Sequence, residues 1–197
     1  MDKQAFIHHF KHLNRREFIP EPFKVELLLD TPYPIGFGQT TSQPSLIQQM
    51  ILILDPEPTD TVLEIGTGSG YLTALLSPFV SRIYSVERIK ELSKQAQTRL
   101  TQMGYLNIEF IISDGTNGYP SSAPYDRIIV SAACNEIPPS LINQLNVNGK
   151  LLIPVGQKYS QRLNLVEKDR MGNITKTDMG GVVFVELVGD YGFHPFD

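Results

Sequence analysis

Apolar residues recur at Phe6, Phe10 and Leu13, the i, i+4, i+7 spacing of one helical face, and Asp2 stands where a cap is needed. Residues 2–13 are therefore predicted to be helical. Residues 15–34 are interrupted by Pro20, Pro22, Pro32 and Pro34 and read as a long irregular stretch, a kind that is often functional or wraps a core. Residues 36–43 read as a Gly/Thr/Ser-rich loop. Leu46, Ile47, Met50, Ile51 and Leu54 then mark one face of a helix over residues 44–54. Pro44 is tolerated in its first turn, and Ser42 or Gln43 stands near its cap.

From Asp60 the pattern switches to short apolar runs alternating with helical stretches. Strands are expected at 61–65, 82–86, 107–112, 127–131 and 150–154, and helices at 71–77, 90–103 (stopped by Gly104) and 139–145 (ending near Gly149). Such alternation predicts an α/β fold with a mostly parallel sheet and helices on both faces. Residues 162–168 alternate apolar and polar, and 182–187 are rich in β-formers, with a DRMGN turn and a TDMGG stretch between them. They read as an antiparallel pair added to the sheet edge. No internal repeat is visible.

Composition narrows the function classes. The chain of 197 residues fits a single domain with its own core. Its charge, 17 − 21 = −4, offers no cationic field for a nucleic-acid backbone. One cysteine, Cys134, excludes an intramolecular disulfide and a multi-cysteine zinc site. The first 18 residues lack an apolar signal core, and no apolar run approaches the ~20 residues of a membrane span. The expectation is a soluble, cytoplasmic monomer without a membrane or nucleic-acid partner.

The strongest chemical signal is VLEIGTGSGY, residues 62–71. A buried strand runs into Gly66, Gly68 and Gly70 and then into a helix, so the backbone can take positive φ and approach a ligand closely at the carboxyl end of the first strand. The dinucleotide frame G-x-G-x-x-G fails, because Tyr71 occupies its third glycine position. The run is E-x-G-x-G-x-G, starting at Glu64, and resembles the first motif of S-adenosylmethionine-dependent methyltransferases. Glu87 ends the second strand, where a carboxylate can accept ribose hydroxyls. Asp114 follows the third strand and is placed to accept an adenine amino group, with Gly115 allowing approach. The glycine run alone would also suit a structural turn with solvated acids; acidic residues ending two successive strands favour the cofactor.

PIGFGQTTSQP (34–44), SVERI (85–89), SDG (113–115), APYDRIIVSAA (123–133), EIPPSLINQL (136–145), GKLLIPVG (149–156) and VVFVELVG (182–189) extend the likeness over almost the whole chain. Together these stretches resemble the protein-L-isoaspartate (D-aspartate) O-methyltransferases, and GQTxSQP is the specific part. The resemblance implies a Rossmann-like methyltransferase fold: a seven-stranded, mostly parallel sheet with its last strand antiparallel, and an N-terminal helical extension. It divides the chain into a substrate-side extension (1–59), a cofactor-binding core (60–156) and a closing β hairpin (157–197). It implies methyl transfer from S-adenosylmethionine to the free carboxylate of L-isoaspartyl residues in damaged proteins or peptides. The alternative is a methyltransferase of the same fold acting on another substrate.

By the same resemblance Ser42 is the catalytic residue, its hydroxyl donating to the substrate carboxylate; helix capping is the competing role. Thr40, Thr41, Glu64, Gly66, Thr67, Gly68, Gly70, Glu87, Arg88, Asp114 and Gly115 fall to the cofactor. Ile35, Gln39, Val155 and Gly156 fall to a peptide-facing wall. His8, His9 and His12 lack carboxylate partners at ligand spacing, so no metal is expected. Cys134 reads as a small buried residue and Arg15–Arg16 as a solvated pair. The chain departs from the family pattern in a short leading segment, in Asn14 where a proline is usual, and at Cys134–Asn135.

Overall fold

The structure, a computed structural model, describes residues 1–21 and 29–193; residues 22–28 of the stretch read as irregular lie outside the described residues, as do 194–197. Asp2 caps α1 (Lys3–His12) as expected, its Oδ1 accepting from Gln4 N at 2.9 Å and Ala5 N at 3.2 Å. Phe6 is wholly buried and meets Phe79 edge-on at 5.7 Å. Burying such a ring stabilises by roughly 1.5–3 kcal/mol, which docks α1 onto the domain. The histidines face elsewhere: His8 and His12 stack at 4.0 Å, and His9 Nε2 meets the Ala74 carbonyl. Among the described residues no three His, Cys, Asp or Glu side chains gather as metal ligands.

The expected loop at 36–43 is instead a small hairpin of β1 (Tyr33–Gly36) and β2 (Gln39–Thr41). Its two-residue turn, Phe37–Gly38, has φ of +54° and +70°. Both central residues are left-handed, as a type I′ turn requires, but Phe-Gly stands where Asn-Gly is the usual signal, so composition alone read as a loop. α2 (Pro44–Leu54) has Gln43 at its N-cap, and neither Gln43 nor Ser42 caps it by side chain. Asp30 reaches across instead: its Oδ1 accepts from Ser45 N and its Oδ2 from Gln43 Nε2, both at 2.8 Å. Hydrogen bonds from the Ser45 side chain and backbone, and from Gln43, hold the Asp30 carboxyl below its ordinary pKa. Among the described residues, the Ser42 hydroxyl is left without a protein partner.

The main sheet contains β3 (Thr61–Ile65), β4 (Arg82–Glu87), β5 (Ile108–Ile112), β6 (Tyr125–Val130), β7 (Leu145–Gln157), β8 (Ser160–Lys168) and β9 (Ile174–Val182), in the order β5-β4-β3-β6-β7-β8-β9. The first five of that order pair in parallel; β7–β8 and β8–β9 pair antiparallel. The crossovers carry α3 (Tyr71–Leu76), α4 (Lys90–Gln102) and α5 (Pro139–Gln144). Strand alternation splits the core. Val62 and Ile83 bury with Phe6, Ile51 and Leu75 on one face, while Leu63, Ile65 and Val86 bury with Ile128 and Leu151 on the other. Arg127 ties α2 to this sheet, donating from Nε to the Leu54 carbonyl at 3.1 Å and lying 3.4 Å from Asp60.

Two tail elements differ from the sequence reading. β7 begins directly after α5 and runs far beyond 150–154. The last strand is β9, whose first five residues are all exposed, so it has no buried face to give an apolar signature. The β-rich run 182–187, expected to be that strand, leaves the sheet beyond Val182. It folds back across the carboxyl ends of the strands, with Ala133 N donating to the Val185 carbonyl and Leu187 N to the Ala133 carbonyl. Phe184 and Leu187 are buried by packing rather than by a ladder, while Val183 is exposed.

Candidate active site

β3 and β6 lie side by side while their connections leave in opposite directions, the switch point where open α/β sheets place ligands. The glycine turn sits there. Gly66, Gly68 and Gly70 have φ of +92°, +52° and +82°. At Gly66 it is the φ of +92°, which side chains rarely adopt, that calls for glycine; a Cβ there would stand at ordinary contact distance, 3.4 Å, from the Ser131 carbonyl oxygen. Gly66 N donates to the Val86 carbonyl at 2.8 Å.

Glu87, at the end of β4, anchors the turn from the side. Its Oε2 accepts from Gly68 N at 3.0 Å and its Oε1 from Ile89 N at 2.9 Å. The residue still lines the pocket beside Arg88 and Ile89. That pocket takes in about 760 Å³ including its open mouth. Ile35, Gln39, Thr40, Thr41 and Ser42 form its hairpin wall, Gly66–Ser69 and Gly115 its floor, and Val185–Val188 its far wall. Ile35 faces this pocket, with its Cδ1 3.2 Å from where a Gly68 Cβ would stand.

A second, open cleft of about 1350 Å³ adjoins it. Thr40, Ser42, Ser131 and Val185 line both. Gln43 and Gln49 of the α2 region face Tyr159, Arg162 and Val183 across it. Ser42 therefore stands on the wall shared by the glycine-turn pocket and the adjoining cleft.

Several residues expected at the site lie elsewhere. Glu64 is fully buried beneath the turn and does not line the pocket. Its Oε2 accepts from Thr73 Oγ1 at 2.7 Å and Ser85 Oγ at 2.6 Å, Ser85 in turn meets Thr67 Oγ1 at 2.6 Å, and Oε1 has no partner. Burial pushes this carboxyl up to about 7 against those hydrogen bonds, and the nearby Glu87 charge pushes the same way. Gly70 caps α3 and faces Leu100 rather than the pocket.

The Asp114 carboxylate is likewise engaged elsewhere. Its Oδ1 accepts from Thr116 N and Oγ1, and its Oδ2 from Asp190 N at 2.8 Å. Only its neighbour Gly115 reaches the pocket, where a Cβ would fall 2.4 Å from Ile65 Cγ2. Val155 and Gly156 line neither cavity. They pair within β7 against Arg162 and Gln161 and bridge to Cys134, and Gly156 is glycine because a Cβ would fall 2.4 Å from the Ser160 carbonyl. Cys134 is inert: burial pushes its thiol up to about 12.

The sequence reading missed Ser131, Ala132 and the Val185–Val188 wall. The first two follow β6 at the switch point, a position findable from the strand order; the wall was hidden by its strand-like composition.

These residues fit an adenosine-type cofactor. In the floor Gly115 leaves no room for a Cβ and Gly66 and Gly68 take positive φ, and the acidic acceptor Glu87 stands at the ribose position of α/β nucleotide sites.

The chain matches the family described as protein-L-isoaspartate(D-aspartate) O-methyltransferase (PCMT) over residues 1–192. It is 47% identical over 182 residues to the protein-L-isoaspartate O-methyltransferase of Methanocella arvoryzae, covering 91% of this chain and 96% of that protein. Among solved structures it superposes on a protein-L-isoaspartate O-methyltransferase with a TM-score of 0.85 at 26% identity, covering 98% of this chain and 63% of that longer one. A structure from Plasmodium falciparum described as the same enzyme, in complex with S-adenosyl-L-homocysteine, gives a TM-score of 0.81 at 25% identity over 95% of this chain and 92% of its own.

Proposed function

Because the chain belongs to the protein-L-isoaspartate (D-aspartate) O-methyltransferase family, we propose that it methylates the free carboxylate of L-isoaspartyl residues in damaged proteins and peptides, using S-adenosylmethionine. The ester then closes to a succinimide whose hydrolysis regenerates some normal aspartate. The observation that carries this reading is the place of Ser42 on the wall shared by the glycine-turn pocket and the adjoining cleft. One side suits a small cofactor and the other a polypeptide.

When bound, S-adenosylmethionine supplies an electrophilic methyl group on a sulfonium. Glu87, Gly66–Gly68 and Gly115 would hold its adenosine part. The nucleophile, a carboxylate of pKa ~3.5, is ionised at neutral pH and needs no base. The titratable side chains lining the pocket are Tyr71, Glu87, Arg88 and Glu186, without histidine or cysteine. The protein's contribution is therefore positioning, worth up to roughly 7–11 kcal/mol in well-oriented reactions, and exclusion of water from the attacking anion. Ser42 donates its free hydroxyl to one carboxylate oxygen and aims the other at the methyl group. Thr40 lines both cavities and Gln39 the pocket. Residues 1–59 thus bring Ser42 to the substrate while the sheet that follows holds the cofactor.

The decisive assay is transfer of labelled methyl to an isoaspartyl peptide, with the matching aspartyl peptide as control. Base-labile label on the first alone is expected; binding of S-adenosylhomocysteine without any transfer sinks the reading. Ser42→Ala is expected to lower kcat by about 10- to 100-fold, the worth of a hydrogen bond to a charged group, with S-adenosylhomocysteine affinity within about twofold of wild type. We further place the activity in the cytoplasm, on a monomer, with protein rather than nucleic acid as partner. The net charge of −4 supports the last point, and light scattering during gel filtration reads the oligomeric state.

A further inference from the structure

Arg15, read from sequence as part of a solvated pair, is only 8% exposed. It opens the 3-10 turn Arg15–Phe18, and its guanidinium lies between two aromatic rings. The Tyr33 centroid of β1 is 5.1 Å away and the Tyr71 centroid of α3 is 5.8 Å away. One nitrogen, Nη2, donates to the Thr31 carbonyl at 2.9 Å and to the Ser42 carbonyl at 3.0 Å. Thr31 precedes the β1–β2 hairpin and Ser42 follows it, so a single cationic nitrogen fastens both feet of the hairpin. Nε and Nη1 are buried with no hydrogen-bond partner among the described residues.

A cation that gives up water on three nitrogens and recovers two backbone bonds is a costly way to hold a loop for stability alone. What it gains is geometry. Ser42 lies between β2 and α2, its side chain is not used for capping, and Asp30 bonds the Gln43 side chain and the Ser45 backbone but not Ser42. The Arg15 bond is the contact that sets the Ser42 peptide itself. Cation–π contact with two rings helps fix the direction from which that bond arrives, and a lysine ammonium has no second nitrogen to hold that geometry.

We propose that Arg15 is the positioning residue for Ser42, setting the serine backbone so that its hydroxyl points from the groove wall into the cofactor pocket. This rests on the reading of Ser42 as the residue that meets the substrate carboxylate.

A double-mutant cycle on the full chain tests it, with kcat and KM for an isoaspartyl peptide and the Kd of S-adenosylhomocysteine as readouts. Arg15→Ala is expected to lower kcat about tenfold while the Kd stays within about threefold. On a Ser42→Ala background the same change is expected to cost less than about twofold, because the aim it provides is already lost. Guanidinium at low millimolar concentration is expected to restore part of kcat in Arg15→Ala and none of it in the double variant. Equal losses on both backgrounds, or a fall in cofactor affinity that parallels the fall in kcat, overturn the proposal. If Arg15→Ala does not fold, Arg15→Lys carries the test: kcat below wild type with unchanged Kd supports the proposal, and wild-type kcat overturns it. A Ser42→Ala enzyme with wild-type kcat would instead sink the serine assignment itself, an outcome distinct from additivity.

Discussion

Glu87→Ala is expected to weaken S-adenosylhomocysteine binding by roughly 100- to 1,000-fold. Two losses combine. The first is the acceptor for the ribose hydroxyls, a hydrogen bond to a charged group worth about 1.5–3 kcal/mol. The second is the anchor of the glycine turn, since Gly68 N and Ile89 N both donate to this carboxylate. A freed turn must be ordered again on binding, at about 1–2 kcal/mol for each backbone position fixed. At 1.4 kcal/mol per tenfold, the sum reaches the stated range. Glu87→Gln keeps the size and one acceptor oxygen, so it is expected to lose only about tenfold. Titration calorimetry with the three proteins decides the matter; wild-type affinity in Glu87→Ala would show that this acid is not at the ribose.

The second large effect concerns stability and pH. Glu64 has no cationic partner and one orphaned oxygen, and burial pushes its carboxyl from 4.5 up to about 7. The native state thus holds this proton more tightly than the unfolded chain. The stability it provides is full below about pH 4.5 and is lost as pH rises through 7, by roughly 3 kcal/mol in all. Glu64→Gln removes the titration. Its amide leaves a different unpaired atom where Oε1 was, so its absolute stability can sit above or below wild type at pH 5. The difference between the two proteins, however, is expected to shift by about 3 kcal/mol in favour of glutamine between pH 5 and pH 8.5. Urea midpoints across that range measure it, and a difference that does not move with pH would place the Glu64 proton elsewhere.

Glu64 also shows where sequence reasoning stops. VLEIG announces a buried strand ending in glycine, and that much is correct. Strand alternation puts Glu64 on the same face as Val62, beneath α3, where Thr73 and its register partner Ser85 receive it. A motif spaced along the chain does not report which face a residue takes. Glu87 was legible because it ends its strand, where side chains reach the ligand crevice.

Asp114 follows its strand as expected, but its carboxylate accepts from Thr116 and from the Asp190 backbone. Its partner Asp190 lies in a tail whose path no local pattern encodes. The hairpin at 33–41 and strand β9 were missed for opposite reasons. One has a turn without its usual residues, the other a strand without a buried face. The parallel core, helix α1 with its Asp2 cap, and the glycine turn followed directly from periodicity and capping chemistry. The burial of Arg15 had no signal in a neighbouring charge pair that reads as surface.

The segment beyond Val182 has a consequence for the order in which the enzyme becomes competent. The sheet, the glycine turn and Ser42 all precede it in the chain, yet Val185–Val188 form the far wall of the pocket and Asp190 locks onto Asp114. The pocket is therefore completed by a segment that folds back over a floor built earlier in the chain, and it is whole only once that segment has docked on the formed sheet.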